Sequence, residues 1–401
     1  MENIMKSSRI LLFLLISCLL CSCKQPASGL NGTDSIISAS DTPLTQEAAE
    51  SSSEETLTEM QTKETEPSSE PTSEPHYETV MDYVNSLAPD TYGVDAYHFL
   101  RTINDSYPYR MNGNGVTSQT KFDLADFIQS NMTQWGYEVQ SYTRQGSSPD
   151  GNVHTAVSYS YRKPGSSQLP RILIGAHYDG RETNGCEDNG TGVALTLELA
   201  KRFSRISTPY PLEFCFWDGE ELLGLAGSSS YFDYNDSKDL LLAVNLDCIG
   251  FGDNMYAYGG YYENGELKQA WGYELAMTIA EELGIPLQSL PKAVGDEYPE
   301  MQTPARLLGS DQRSFYLAGV AYVYFEANAW VDASGVPVHP EGGPPYQYNS
   351  AHPAFSDTSG KILHTKYDDL DLLESILGTR GFEHISGFSQ IVTELLLRIG
   401  Q

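Results

Sequence analysis

The chain has 401 residues, of which 54 are acidic and 24 are lysine or arginine, giving a formal net charge of −30. This balance argues against nucleic acid as a partner, because binding a phosphate backbone requires clustered lysine and arginine. With 40% hydrophobic residues, the chain has enough apolar material for one large or two ordinary domains.

Residues 1–22 have the layout of an export signal, because a short basic segment precedes the apolar run ILLFLLISCLLC. That run is too short to span a bilayer comfortably as a mature helix. It closes with Leu-Cys-Ser-Cys, which resembles the lipobox of bacterial lipoproteins. The resemblance implies cleavage before Cys23, acylation of its thiol, and an extracytoplasmic protein anchored to the bacterial membrane. The alternative is an ordinary secretory signal with a chance cysteine.

Residues 23–78 are rich in Ser, Thr, Glu and Pro and contain hardly any large apolar side chains. Such a segment cannot bury enough surface to offset its ordering entropy, so we expect it to be disordered. It would tether the acylated cysteine to one folded domain at 79–401.

Apolar periodicity divides residues 79–401 into alternating strands and helices. In chain order we expect a helix over 121–136, strands over 153–162 and 171–177, a helix over 191–203, strands over 212–217 and 241–247, a helix over 269–284, a helix end and strand within 314–326, and one or two helices within 373–400. Three of these strands are continuously apolar, which is typical of parallel strands covered on both faces. The sequence therefore predicts an α/β fold, a three-layer sandwich with a mostly parallel central sheet flanked by helices.

The predicted domain contains three cysteines, Cys186, Cys215 and Cys248. In an exported protein an odd number allows one disulfide and a free thiol, or three buried thiols. Because Cys215 and Cys248 fall in predicted core strands, we favour small, buried, unpaired side chains.

Acidic and histidine side chains follow three of the predicted strands at the point where each strand ends. They are His177 and Asp179 after the first, Asp218, Glu220 and Glu221 after the second, and Asp247 after the third, with Asp188 ahead of the 191–203 helix and His364 late in the chain. Parallel strands bring their carboxyl ends to one edge of a sheet, where ligands bind. Carboxylates packed there would protonate or separate unless cations held them together. Imidazole with carboxylate suits zinc, and a carboxylate bridging two ions would make a two-metal hydrolase.

These residues form motifs that occur in a fixed order. The motifs are His177-x-Asp179, Asp188-Asn189-Gly190-x-Gly192, Glu220-Glu221, Asn245-Leu246-Asp247 and His364-Thr365-x-x-Asp368. Together, over about residues 90–400, they resemble the two-zinc aminopeptidase family, which includes bacterial leucyl aminopeptidases, aminopeptidase Y and, more distantly, glutaminyl cyclases. The resemblance implies a zinc-peptidase-like fold and hydrolysis of the N-terminal peptide bond of peptide substrates.

The same resemblance implies a ligand set for two zinc ions. Asp188 would bridge both ions. His177 and Asp247 would complete the protein ligands of one ion, and Glu221 and His364 those of the other.

It also implies roles for the acids that do not bind metal. Glu220 would be the general base that takes a proton from the attacking water. Asp179 would hold the far nitrogen of His177, and Asp368 would cap or orient the loop around His364. Adjacent residues leaving a strand point in different directions, so Glu221 can bind metal while Glu220 faces the substrate.

Each of these residues also has an ordinary structural interpretation, and these alternatives remain open. His177 could be a histidine at a strand end that is fully hydrogen-bonded by its neighbours, Asp247 could accept a backbone hydrogen bond, and Asp179 could form an Asx turn. Glu220 and Glu221 could form the first turn of a helix, and Asp188 and Asn189 could cap the 191–203 helix. His339 or His352 could take the place of His364 as a metal ligand.

Two stretches depart from the family pattern. GSDQRSF resembles the family's Ser-Asp-His-x-x-Phe, but Gln312 replaces a histidine that is not a usual zinc ligand, so substrate contacts are expected to differ. Ser310 or Asp311 is expected to cap a helix there.

The residue before His364 is Leu363, where some members of the family carry a tyrosine that helps to polarise the substrate carbonyl. Three nearby residues are candidates to replace it: Tyr346, Tyr348 and Tyr367. Residues 329–361, rich in Gly, Pro, Ser and Asn, are expected to form a long ordered loop near the site.

Two other functions remain open. One is glutaminyl cyclase activity on the same fold, for which a single zinc is expected rather than two. The other is a non-catalytic surface binding protein, although such proteins usually lose a ligand or the base, and here all six residues are present.

Overall fold

The computed structural model describes residues 77–163, 169–263, 266–268, 270–291, 309–332, 334–338 and 348–400. The predicted export signal, Cys23 and nearly all of the 23–78 linker lie outside these residues and stay predictions. Chain contacts group Ser73–Gln401 into one unit. Within the described part of that unit, no helix is both long and apolar enough to cross a membrane.

A mixed eight-stranded sheet forms the middle layer. Its strands are β3 (Glu138–Ser147), β4 (Val153–Arg162), β5 (Arg171–His177), β6 (Leu212–Trp217), β7 (Leu240–Leu246), β8 (Asn254–Gly259), β11 (Leu287–Gln288) and β12 (Tyr322–Asn328). Two small ribbons pair β1 (Asn112–Gly113) with β2 (Val116–Thr117) and β9 (Tyr261–Glu263) with β10 (Glu266–Lys268).

The order across the large sheet is β11-β8-β12-β7-β5-β6-β4-β3. Four of its seven pairings are parallel, and they include the adjacent pairs β12 with β7, β7 with β5, and β5 with β6. The carboxyl ends of these four central strands therefore lie at one edge. The strands predicted from continuous apolar runs, β5, β6 and β7, are the three at the centre, and both of their faces are buried.

Helices cover both faces of the sheet. In chain order they are α1 (Val80–Ser86), α2 (Val94–Ser106), α3 (Gln119–Gln134), α4 (Thr191–Phe203), α5 (Ala226–Tyr234), α6 (Trp271–Leu283), α7 (Gln312–Leu317), α8 (Leu370–Leu377) and α9 (Arg380–Arg398). On one face α4 packs against β5, β6 and β7, and α6 packs against β8 and β12. On the other face α5 packs against β3 and β4, and α7 against β7 and β12. The predicted three-layer fold is confirmed.

The α4 helix is apolar around most of its surface because it lies between the sheet and the outer helices α2 and α9. Its one buried acid, Glu198, accepts hydrogen bonds from the Gly93 and Ala96 amides at the start of α2. A carboxylate there satisfies free N–H groups of that helix and suits its dipole. This contact fixes the outer layer against the helix that follows Asp188.

The cysteine prediction is also confirmed. Cys186, Cys215 and Cys248 are free and buried. The closing segment forms two helices, α8 and α9. The predicted 329–361 loop lies partly outside the described residues, and its described part contains a 3₁₀ turn at Pro353–Thr358.

Candidate metal centre and active site

Two clusters of metal-ligating side chains lie at the carboxyl edge of the central strands. One joins His177, Asp188 and Asp247, and the other joins Asp188, Glu221 and His364. Within each cluster one ligand atom per residue lies within 4.8 Å of the others. All five residues predicted as zinc ligands are therefore brought together, and Asp188 belongs to both clusters.

The two oxygens of Asp188 face different histidines. Its Oδ1 lies 3.2 Å from Nε2 of His177, and its Oδ2 lies 2.9 Å from Nε2 of His364. Asp247 Oδ1 is 3.3 Å from the first ring, and Glu221 Oε2 is 3.0 Å from the second. Ligands of a tetrahedral zinc ion at 2.0–2.1 Å lie about 3.3 Å apart, so these spacings and this nitrogen and oxygen donor set fit zinc.

The charges of the two clusters depend on one another. Burial alone would lower the pKa of His177, yet Asp247 and the hydrogen-bonding aspartates raise it well above its usual value. Glu221 and Asp188 likewise raise the pKa of His364 to about 11 against burial. Burial alone would raise the pKa of Asp188, whereas hydrogen bonds from the two histidines hold it well below its usual range. Positive charge at either ring therefore stabilises these acids, and divalent ions bound among the same atoms would supply such charge.

Glu220 and Glu221 leave β6 in different directions. Glu221 faces His364, whereas Glu220 lines the same cavity without joining either ligand cluster. Burial raises the pKa of Glu220 well above its usual value, and neighbouring carboxylates raise it further. The alternative of a helix first turn is wrong, because α5 begins only at Ala226. A carboxyl group with a raised pKa holds a proton more readily than a free carboxyl group does, which suits a group that has to accept one.

Asp179 connects His177 to the two glutamates. Its Oδ1 lies 3.6 Å from Nδ1 of His177, and the same ring nitrogen is 3.3 Å from the Asp179 carbonyl oxygen. The Asp179 carboxylate also accepts hydrogen bonds from the Glu220 and Glu221 amides, each at 3.3 Å. Because these amides are distant in sequence, the Asx-turn alternative does not describe this acid.

Asp368 supports the segment around Asp188. Its Oδ1 accepts hydrogen bonds from the Glu187 amide at 2.6 Å and the Asp188 amide at 3.4 Å. Burial, together with the charge of Asp188, raises the pKa of Asp368 to about 7. The prediction that Asp368 orients the loop around His364 is therefore incomplete, because its carboxylate also accepts a hydrogen bond from the backbone of Asp188.

The turn that carries His364 is held by a different side chain. Asn349 Oδ1 accepts hydrogen bonds from the Ile362 amide at 2.8 Å and the Leu363 amide at 3.3 Å. His364 itself has a φ of 57°, in the left-handed region that non-glycine residues rarely adopt. The surrounding hydrogen bonds hold this unfavourable backbone so that the ring faces Glu221.

Asn189 joins the Asp188 segment to the end of β7. Its Oδ1 accepts hydrogen bonds from the Gly192 amide of α4 and the Cys248 amide, and its Nδ2 donates to the Leu246 carbonyl. The helix-cap alternative therefore holds for Asn189. Asp188 instead faces the two histidines.

Three charged residues that support the site were missed in the sequence. Arg110 is 1% exposed and donates to the carbonyls of Tyr178, Asn184 and Gly185, so it holds the loop between His177 and Asp188. No motif marks it.

Glu187 is the second. Its carboxylate accepts hydrogen bonds from the Gly250 and Phe251 amides, tying the Asp188 segment to the chain after Asp247. Burial raises its pKa to about 8. Its position beside Asp188 was the one available signal.

Lys121 is the third, and it forms a buried ion pair with Asp218, two residues before Glu220. Its Nζ lies 2.5 Å from Asp218 Oδ2, and both side chains are 0% exposed. Asp218 also accepts from Asn112 Nδ2 at 3.1 Å and from the Val157 amide at 2.8 Å. The position of Lys121 on the apolar face of α3, in line with Leu124, was the signal that could have found it.

A cavity of about 260 Å³ opens beside the two clusters. Its wall contains Glu220, Gln312 and, on the β12 side, Tyr258, Tyr324, Glu326 and Trp330. Asn245 Nδ2 donates to Gln312 Oε1 at 2.9 Å and to Ser310 Oγ at 3.1 Å. The residue that replaces the expected histidine thus forms part of the cavity wall.

The structure also bears on the predicted helix cap near Gln312 and on the two histidines that were alternatives to His364. The predicted cap by Ser310 or Asp311 is wrong, because Asp311 precedes α7 without a capping side-chain hydrogen bond and Ser310 Oγ bonds to Asn245. His352 bonds to the Ala354 amide away from the clusters, and His339 is outside the described residues.

Among the candidate tyrosines, Tyr346 is outside the described residues and Tyr367 bonds to Asp357 and the Ala354 carbonyl. Neither Tyr348 nor Tyr367 is in the described wall of the cavity. The tyrosines found in that wall are Tyr258 and Tyr324.

A mostly parallel sheet with paired carboxylate–histidine clusters at its carboxyl edge is the arrangement expected of a metal-dependent hydrolase. A profile of Peptidase family M28 matches residues 159–379, and the chain belongs to that family. It is 26% identical over 254 residues to the alkaline phosphatase isozyme conversion protein of Escherichia coli K12, covering 57% of this chain and 71% of that protein. It is 30% identical over 162 residues to Aminopeptidase YwaD of Bacillus subtilis, covering 38% of this chain and 34% of that protein.

Solved structures share the fold. A zinc aminopeptidase from Bacillus subtilis, BSAP, aligns with a TM-score of 0.54 at 16% identity, covering 79% of this chain and 98% of that one. Glutaminyl cyclase from Porphyromonas gingivalis also aligns with a TM-score of 0.54 at 16% identity, covering 77% of this chain and 99% of that one. At this identity the likeness describes architecture, and both activities occur on it.

Proposed function

We propose that this protein is a zinc-dependent aminopeptidase that hydrolyses the N-terminal peptide bond of peptides. The observation that carries the proposal is the position of Asp188, which faces one histidine with each oxygen and so joins two complete ligand clusters. A shared carboxylate between two sites is the arrangement of a two-metal hydrolase. Membership of Peptidase family M28 supports the same reaction class.

In this proposal His177, Asp188 and Asp247 hold one zinc ion, and Asp188, Glu221 and His364 hold the other. Zinc bound at these positions would supply Lewis acidity toward the substrate carbonyl and toward a nucleophilic water. The Asp179 carbonyl oxygen, 3.3 Å from His177 Nδ1, keeps the ring in the orientation that presents Nε2 to the cluster.

The chain's own proton-transfer group is Glu220. It would accept a proton as water attacks the scissile carbonyl carbon, and it would give that proton to the amine nitrogen as the C–N bond breaks. Asp179 fixes the backbone of Glu220 and of Glu221 through one carboxylate. The base and a metal ligand are thereby held in one geometry.

The test compares zinc-loaded protein with the Glu220→Gln variant on a panel of aminoacyl-coumarin amides and short peptides. We expect release of the N-terminal residue that chelator abolishes and zinc restores, and an inactive variant that still contains zinc. Full activity in the variant, or activity that survives chelation, would refute the proposal.

Glutaminyl cyclase is the second candidate, and the observation in its favour is the fold shared with the Porphyromonas gingivalis enzyme. The two reactions leave different products from a peptide with N-terminal glutamine. Hydrolysis adds water and frees glutamine, whereas cyclisation expels ammonia and leaves the peptide bond intact. Mass spectrometry of such a peptide after incubation distinguishes them, and one bound zinc instead of two would favour the cyclase.

We further propose that the protein is an extracytoplasmic lipoprotein held to the bacterial membrane through Cys23. The basis is the sequence of the signal and the acidic, Pro-rich linker that follows it. Metabolic labelling with an alkynyl fatty acid should mark the full chain but not the Cys23→Ala variant. Equal labelling of both would refute the anchor.

A further inference from the structure

One buried acid in the cavity wall has no role in the mechanism proposed above. Glu326 lies on β12, whose neighbour β7 ends beside Asp247, and Phe325 is in register with Leu246. Side chains alternate along each strand, so the next residues, Glu326 and Asp247, project from the same face of the sheet. One strand spacing, about 4.8 Å, separates their strands.

Among the described residues, the side chains that donate hydrogen bonds to Glu326 are all uncharged. Tyr258 donates to Oε1 at 2.5 Å, Trp330 Nε1 donates to Oε1 at 2.7 Å, and Tyr324 donates to Oε2 at 3.2 Å. The side chain is 7% exposed and reaches the cavity. Within the described ranges no lysine, arginine or histidine forms an ion pair with it, which is uncommon for a buried acid.

The hydrogen-bond donors are also large flat rings. Tyr258 and Tyr324 stack with centroids 5.7 Å apart, and Trp330 meets Tyr258 edge-on at 6.4 Å. Aromatic rings beside a carboxylate suit a cation, since their faces attract positive charge and stack well with a planar guanidinium.

The electrostatics of the cavity point the same way. Burial raises the pKa of Glu326 to about 7 against its three hydrogen bonds, and the charge of Asp247 contributes to the rise. A cation entering the cavity would favour the ionised form and relieve the cost of burying it. An uncharged side chain would leave that cost in place, and an acidic one would increase it.

We propose that Glu326, with Tyr258, Tyr324 and Trp330, forms the subsite for the side chain of the substrate's N-terminal residue and selects lysine or arginine there. The inference rests on the proposed aminopeptidase function. The subsite lies one strand beyond Asp247, so a long side chain can extend from the metal clusters to the carboxylate.

The test uses zinc-loaded protein and coumarin amides of arginine, lysine, citrulline and leucine. Citrulline matches arginine in shape but carries no charge, so the pair isolates the ionic contribution. We expect kcat/KM for arginine to exceed that for citrulline by at least about 100-fold, as for a desolvated ion pair, and the Glu326→Gln variant to bring the ratio near one. In the same variant leucine turnover should fall by a much smaller factor than arginine turnover, because an uncharged side chain loses no ion pair.

The control variant is Glu282→Gln, which makes the same chemical change at a half-exposed position paired with Arg398. It should keep the arginine preference, because it alters net charge but not the subsite. A preference that persists in Glu326→Gln would overturn the proposal. An equal loss for arginine and leucine would also overturn it, since Glu326 would then bind the α-ammonium group common to both.

A binding experiment keeps this inference distinct from the peptidase proposal. Calorimetry with zinc-loaded Glu220→Gln should show argininamide binding far more tightly than citrullinamide, and adding Glu326→Gln should remove the difference. Selective binding without turnover by the parent protein would refute the peptidase and support the subsite. Turnover by the parent protein with equal binding of the two amides would support the peptidase and refute the subsite.

Discussion

Replacing Lys121 with methionine should destabilise the domain strongly, because it leaves Asp218 buried without its cation. Both side chains are 0% exposed, and their charged atoms are 2.5 Å apart. Breaking a buried pair costs about 3–5 kcal/mol. Since Asn112 and Val157 still donate to Asp218, we expect the lower end, about 3 kcal/mol of unfolding free energy.

Urea denaturation followed by far-UV circular dichroism measures this loss. Lys201→Met is the matched control, because Lys201 pairs with Asp95 at 2.6 Å but the two side chains are 40% and 31% exposed. That variant should lose no more than about 1 kcal/mol. In the double variant Lys121→Met with Asp218→Asn, the cost should be less than the sum of the single variants by about 2 kcal/mol.

The Lys121→Met substitution should also reduce turnover, because its partner Asp218 begins the segment that carries Glu220. We expect at least a tenfold loss of kcat, since small displacements of a catalytic group have large effects. A loss of stability for Lys121→Met no larger than that of Lys201→Met, or an additive double variant, would refute the account of this ion pair.

Three further predictions concern the site itself. Glu220→Gln should lower kcat at least about 100-fold while zinc content by mass spectrometry stays at the wild-type level, and zinc loss instead would contradict its role as base. Asn349→Ala should weaken one zinc site in a competition titration and leave the other nearly unchanged, because Asn349 holds only the His364 turn; equal weakening of both would argue against this. Chelated protein should melt at a lower temperature at about pH 8 than at about pH 5.5, since the folded chain keeps protons that the unfolded chain releases. The raised pKa values of Asp368 (about 7), Glu187 (about 8) and His364 (about 11) all act in that direction, so a rise in melting temperature would contradict them.

The residues at the carboxyl edge of the sheet could be predicted from sequence because each follows a short, continuously apolar strand. β6 was expected at 212–217 and is found there, which places Glu220 and Glu221 directly. Continuous burial gives such strands a clear pattern, and parallel pairing brings their ends together. The antiparallel edge of the sheet, formed by β3 and β4, is harder to predict from sequence. The strand β3 was not predicted, because most of its side chains are exposed and its sequence is mainly polar.

The supporting charges were harder to predict than the ligands. The hydrogen bonds that Arg110 forms within the described residues go to backbone carbonyls, and every residue type has a carbonyl, so the sequence does not indicate these partners. Asp368 was assigned to the nearest loop, whereas its partners lie about 180 positions earlier in the chain. In the sequence Glu326 is a single acid within an apolar strand, with no sign that it lies near the site. The pairing of β12 with β7 in the structure places it beside Asp247.

The central claim is that divalent ions hold the acids and histidines of both clusters together through Asp188. Its most direct test is the zinc content of folded, exhaustively dialysed protein, measured by inductively coupled plasma mass spectrometry beside Asp188→Ala. We expect two zinc ions per chain in the wild type and a loss from both positions in the variant. A wild-type protein that folds and turns over peptides without zinc, or a variant that keeps both ions, would contradict the claim.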